Sequence, residues 1–221
     1  MSTKKKTVKA PLSRSRILYA AINLADKTDI ASLSMRKIAQ ELGVQAMSLY
    51  NHVSDKEDIL DGIVDIVAGE IELPNIDGDW QEAMRQRATS AREVLLRHPW
   101  AAMLMMSRIN IGPAMLRYVD ATIGSLREAG FSYKQADHAW NTIDSHIYGF
   151  TLQEIDFPID PSDYADAAKQ YLSLVPAEQY PYLNALSQQV IDGTHHGTQD
   201  FNFGLELILD GLNRLLDKDE E

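Results

Sequence analysis

The chain contains no cysteine, so a disulfide framework, a thiolate zinc site and a cysteine nucleophile are all excluded, as in a protein of a reducing compartment. Long apolar runs are missing too. The longest, Trp100 to Met106, has seven residues, against the roughly 20 that a bilayer-crossing helix needs. At the N-terminus Lys4, Lys5, Lys6 and Lys9 lead into Pro11 with no apolar core segment and no small-residue cleavage site behind them, so no export signal is read. A soluble, cytoplasmic protein is expected. No glycine-rich phosphate loop, nucleophile elbow or HExxH occurs, and an enzyme is not expected. His98, His138, His146, His195 and His196 show no metal-ligand spacing, so neither a metal nor a cofactor is expected.

What is present is an uneven distribution of charge. The net charge is −11, yet residues 1–53 hold nine basic side chains (Lys4, Lys5, Lys6, Lys9, Arg14, Arg16, Lys27, Arg36, Lys37) against Asp26, Asp29 and Glu41, a balance of +6. The remaining 168 residues balance at −17. A basic head on an acidic body presents one end of the molecule to a polyanion and turns the other away.

Helical periodicity runs through the chain, and no stretch alternates as a strand. The first helix starts near Ser13 and carries Ile17, Ala20, Ala21 and Leu24 on one face. A second starts from Ser34, with Met35, Ile38, Ala39 and Leu42 at helical spacing, and Gly43 ends it. A short helix over 46–51 follows, and Ser54-Asp55-Lys56-Glu57 has the form of a capping box that opens a helix reaching Glu72. Pro74, Asn75, Asp77 and Gly78 form a turn-rich linker. Beyond it Asp79 caps a helix with Trp80, Met84, Ala88, Ala91 and Leu95, and Pro99 and Gly112-Pro113 bound a short apolar helix. Leu116, Val119, Ile123 and Leu126 mark another that stops at Gly130. Ser132 to Gln135 is a second capping box, opening a long helix with Ala136, Trp140, Ile143, Ile147 and Phe150. Shorter helices are expected over 163–192, interrupted at Pro176 and Pro181, with a last helix over 199–216. The fold class is all-α.

Helix, glycine-centred turn and short helix form the arrangement that a helix-turn-helix uses to set side chains into the major groove. As a bare pattern it is common to many helical corners. The residues Leu33-Ser34-Met35-Arg36-Lys37-Ile38-Ala39-Gln40-Glu41-Leu42-Gly43-Val44, followed by Ser48-Leu49-Tyr50-Asn51-His52-Val53-Ser54-Asp55-Lys56, closely resemble the N-terminal domain of the tetracycline repressor (TetR) family. That resemblance implies DNA contacts from Arg36, Gln45, Ala46, Met47, Ser48, Tyr50, Asn51, His52 and Lys56. The side-chain chemistry agrees, because Lys and Arg attract phosphate, hydroxyls fix register and Gln reads a base edge. It divides the chain into an arm and DNA-binding domain over 1–55, a connecting helix over 56–72 and a ligand-binding and dimerisation domain over 73–221.

The second half also resembles the tetracycline-repressor branch of this family, through His98-Pro99-Trp100, Gly149-Phe150 and the run from Phe201 to Leu212. The last helix is apolar on more than one stripe, so one face is expected on its own core and another on a second copy. A homodimer joined by four helices, 132–155 and 199–216 from each copy, would set two recognition helices about 34–36 Å apart on a palindromic site. An effector site is expected among Trp100, Met103, Met106, Arg108, Met115, Trp140, Asn141, Asp144, Ser145, His146 and Phe150. The expected function is a repressor released from its operator by a small molecule, the alternative being a ligand-independent regulator or an activator on the same fold.

Overall fold

A computed structural model describes residues 11–196 and 200–216. The basic cluster Lys4, Lys5, Lys6 and Lys9, and the expected helix start at Gln199, lie outside the described residues. Every regular element among the described residues is helical. The chain divides into two compact units at 151/152.

The first unit opens with α1 (Arg14–Lys27), where the Ser13 hydroxyl accepts from the Arg16 amide at 3.3 Å. Helix α2 (Met35–Leu42) starts likewise, with the Ser34 hydroxyl accepting from the Lys37 amide at 3.3 Å. It stops at Gly43, whose φ of 66° is the left-handed conformation a Cβ disfavours. The short α3 (Ala46–Leu49) ends two residues before the expected Asn51. Ile17, Ile38, Leu49 and Val53 are buried where these helices meet, and each side chain removed from water contributes about 1.5–3 kcal/mol.

Helix α4 (Lys56–Ala68) departs from expectation at both ends. Its cap is Asp55, not Ser54: the Asp58 amide donates to Asp55 Oδ1 at 2.9 Å, and the Ser54 amide donates to Asp58 Oδ2 at 2.8 Å. Asp58 takes the place expected of Glu57 while the return bond still comes from the Ser54 amide, because Asp58 also receives Arg14 from α1, and Glu57 is left to meet Arg108. The helix ends at Ala68 and not Glu72, since the chain leaves it at Gly69 and turns Ile71 into the core.

Helix α5 (Trp80–Arg97) is capped by Asp79, which accepts from the Gln81 and Glu82 amides. Helix α6 (Pro99–Ser107) buries Trp100, Ala101, Ala102 and Met105. Helix α7 (Pro113–Glu128) corrects the expected face: it buries Met115, Tyr118, Thr122, Ser125 and Leu126, and leaves Leu116 exposed and Val119 and Ile123 half-buried. Two contacts set that rotation. Asp65 of α4 accepts from the Ala114 and Met115 amides at 2.8 and 2.9 Å, and Tyr118 lies under the Arg87 guanidinium of α5 at 4.6 Å.

Helix α8 (Tyr133–Asp156) begins with the expected box, Gln135 Oε1 accepting from the Ser132 amide at 2.7 Å and the Ser132 hydroxyl from the Gln135 amide at 3.2 Å. Its buried line is Ala136, Ala139, Ile143, Ile147 and Thr151, with Trp140 and Phe150 only half-buried. The unit division falls inside α8. In the second unit, α9 (Tyr164–Tyr171) and α10 (Pro181–Ile191) have no buried residue. They line a cavity of about 490 Å³ with Phe157, Val175 and His195. The last helix, α11 (Phe201–Leu216), buries Phe201, Leu205, Leu209 and Leu212 and exposes Phe203, Leu207 and Leu215. Two apolar stripes are indeed there. No helix among the described residues is long and apolar enough to cross a membrane.

Candidate nucleic-acid interface

The residues expected to meet DNA share the surface formed by α2, α3 and the start of α4. Arg36 is exposed in the first turn of α2. Gln45 precedes α3 and is exposed, Ala46 and Ser48 are half-buried within it, and Met47 is 74% exposed. Tyr50, Asn51 and His52 are exposed, and Lys56 is half-buried at the first position of α4. Leu49 and Val53, interleaved with them, are buried and hold the tip in place. Among the described residues, no side chain of the polar members of this set takes part in a hydrogen bond or ion pair within the chain. Donors left to solvent beside a buried anchor are what an external polyanion requires.

An ion pair stiffens this surface. Arg14 of α1 grips Asp58 of α4 with both guanidinium ends, at 2.8 and 2.6 Å. The Arg14 hydrogen bond and the Ser54 amide hold the Asp58 carboxyl below the usual carboxylate range. The start of α4, with Lys56 on it, is thereby fixed against α1.

Comparison with known proteins decides the family. Residues 17–63 match the model of the bacterial regulatory proteins of the tetR family, and 73–216 match the tetracyclin repressor-like C-terminal domain. The chain belongs to the TetR family. An HTH-type transcriptional regulator of Saccharopolyspora erythraea is 37% identical over 152 residues, 68% of this chain and 64% of that protein, so the match spans less than two thirds of that relative. The tetracycline repressor protein class D of Escherichia coli is 30% identical over 210 residues, 92% of this chain and 90% of the repressor. Among solved structures, the Streptomyces coelicolor TetR-family protein ActR in complex with actinorhodin superposes with a TM-score of 0.78 at 28% identity, covering 92% of this chain and 96% of that one.

The residues expected around an effector are only partly brought together in this TetR-family chain. Trp140 and Asp144 meet: the indole Nε1 donates to Asp144 Oδ2 at 2.7 Å. Met115 and Trp100 are buried, the latter donating to Asp26. Met103 and Met106 are each 56% exposed. Arg108 points to α4, donating to Glu57 at 2.6 Å and to Asp61 at 2.6 and 3.0 Å. Asn141 and Ser145 are exposed, bonding to the carbonyls of Asp137 and Asn141, and His146 is half-buried with its ring 5.6 Å from that of Phe150.

Three residues were missed. Arg87 is wholly buried, ion-paired to Asp144, and its Nε and Nη1 have no hydrogen-bond partner. Burial works against its charge, but nearby Tyr118 and Asp144 outweigh it and raise its pKa. Burial likewise pushes the Tyr118 and Tyr148 hydroxyls upward. The signal in the sequence was an arginine three residues after Met84 and four before Ala91, interrupting an otherwise apolar stripe. Among the described residues no group of three His, Asp or Glu side chains is placed to hold a metal ion.

Proposed function

We propose that the chain is a homodimeric, cytoplasmic repressor without catalytic activity, which binds a palindromic operator and leaves it when a small molecule binds. In this reading 1–55 bind DNA, 56–72 connect, and 73–221 sense and dimerise. The observation that carries it is the set from Arg36 to Lys56, mounted on buried Leu49 and Val53, whose polar side chains make no hydrogen bond or ion pair among the described residues. Arg36, Ser48, Tyr50, Asn51, His52 and Lys56 would position the protein on phosphates, and Gln45, Ala46 and Met47 would face bases.

The effector side is supported by the ActR relative, whose structure is a complex with actinorhodin. It is supported too by Arg87, whose unfilled N–H groups beside Asp144, Trp140 and Tyr118 cost free energy until an acceptor meets them. The test is selection of DNA from random duplexes with the purified full chain. A palindrome with half-sites one helical turn apart is expected, and Gln45→Ala should change the selected sequence. Failure to retain any duplex at low salt would sink the reading.

A further inference from the structure

The corner between α5 and α6 takes hold of the end of α1. Asp26, in the last turn of α1, presents one oxygen, Oδ1, to two ring nitrogens of that corner: His98 Nδ1 at 2.8 Å and Trp100 Nε1 at 2.6 Å. His98 is both the last cap of α5 and the residue before Pro99, the first of α6. It is buried, so its ring has little water to turn to. Its other nitrogen, Nε2, lies 3.4 Å from Glu70 Oε2, just beyond α4, and that oxygen also accepts from Arg97 Nη2 at 2.9 Å.

Two carboxylates therefore face the two nitrogens of one imidazole. An ionised carboxylate only accepts, so holding both requires two ring N–H groups, and a neutral imidazole has one. The charged groups facing the ring are Asp26 from α1, Glu70 from the segment after α4 and Arg97 from the end of α5. Trp100 keeps Asp26 bonded in either state, and Arg97 keeps Glu70 bonded, so neither acid is stranded when the ring loses its proton.

We propose that His98 is a proton-operated joint: protonated, it ties α1 to the end of α4 through Asp26 and Glu70; neutral, it keeps Asp26 and releases Glu70. Helix α4 carries Lys56 at its other end. Proton loss thus leaves Arg97 as the remaining link between this corner and Glu70, weakening the hold on the end of the helix whose start faces DNA, and His98 acts as a positioning residue. Only this consequence rests on the DNA-binding reading; the joint is testable on protein alone.

The chain has three tryptophans, so Trp80→Phe with Trp140→Phe leaves Trp100 as the sole reporter, its ring 6.0 Å from that of His98. Emission of this full-length variant is followed from about pH 5 to 8. A single rise with pH is expected, because a charged imidazole quenches an adjacent indole. His98→Gln should abolish it. A flat emission, or a rise unchanged by His98→Gln, overturns the joint. Operator affinity is then compared in a His52→Gln background, which removes the histidine of the DNA surface. A pH dependence lost with His98→Gln supports the link to α4, and one that persists overturns it. Absence of DNA binding by the parent chain at every pH strikes the functional reading and leaves the fluorescence test standing.

Discussion

Lys56 and Asp58, two residues apart, divide the work of the start of α4 between binding and holding. Lys56→Ala should weaken binding to all duplexes alike and lower the slope of log K against log salt by about 1, as expected for one lost phosphate contact; anisotropy titrations at several salt concentrations read it. Asp58→Asn should instead lower folding stability at neutral pH by about 1 kcal/mol, a modest figure because the Arg14–Asp58 pair is partly solvated. Its folded pKa is depressed, so its contribution is present above the ordinary carboxylate pKa and is lost as pH falls through the folded value. Urea unfolding at neutral and acidic pH should therefore show the gap between parent and variant closing in acid. The buried pair behaves differently. Arg87→Met leaves Asp144 short of its partner and should cost about 3–5 kcal/mol, whereas Arg87→Met combined with Asp144→Leu should recover most of that loss in a denaturation cycle.

At the scale of elements, caps were the most legible signals and rotations the least. Ser13, Ser34, Asp79 and Ser132 cap where their local patterns place them, since a cap is satisfied within one turn. The α4 box slipped by one residue because Arg14, 44 positions away, recruits Asp58. The face of α7 was misjudged for a similar reason: Leu116, Val119 and Ile123 form the more apolar stripe, but Asp65 and Arg87 turn Tyr118 and Thr122 inward. Asp65 caps α7 from a different helix, and Asp65→Ala should lower stability by about 1 kcal/mol, measured by thermal or urea unfolding. Gly112→Ala should reproduce part of that loss, because an added Cβ would meet the Asp65 carboxyl at 2.2 Å.

For the whole molecule, the exposed stripe of Phe203, Leu207 and Leu215 on α11 is the surface our reading gives to a second copy. Leu207→Glu should turn the particle monomeric in sedimentation while leaving its helical content intact, and operator affinity should fall with it, since a single head holds one half-site. A variant that stays dimeric would move the interface elsewhere. The charge division, +6 over 1–53 against −17 over the rest, belongs to this scale as well: it orients the particle before any contact forms.

The sequence alone determined the all-helical class, the order of the elements and the helix-turn-helix surface. These rest on interactions that span a turn or two, such as the capping of α2, the left-handed Gly43 and the burial of Leu49 and Val53 between exposed neighbours. Tertiary structure decided the rest: Arg87 meets Asp144 across 57 residues, and His98 and Trp100 meet Asp26 across 72 and 74. Periodicity tells which side of a helix avoids water but not which distant side chain waits there. A buried charge is stable only beside its partner, so those positions became readable once the helices were packed.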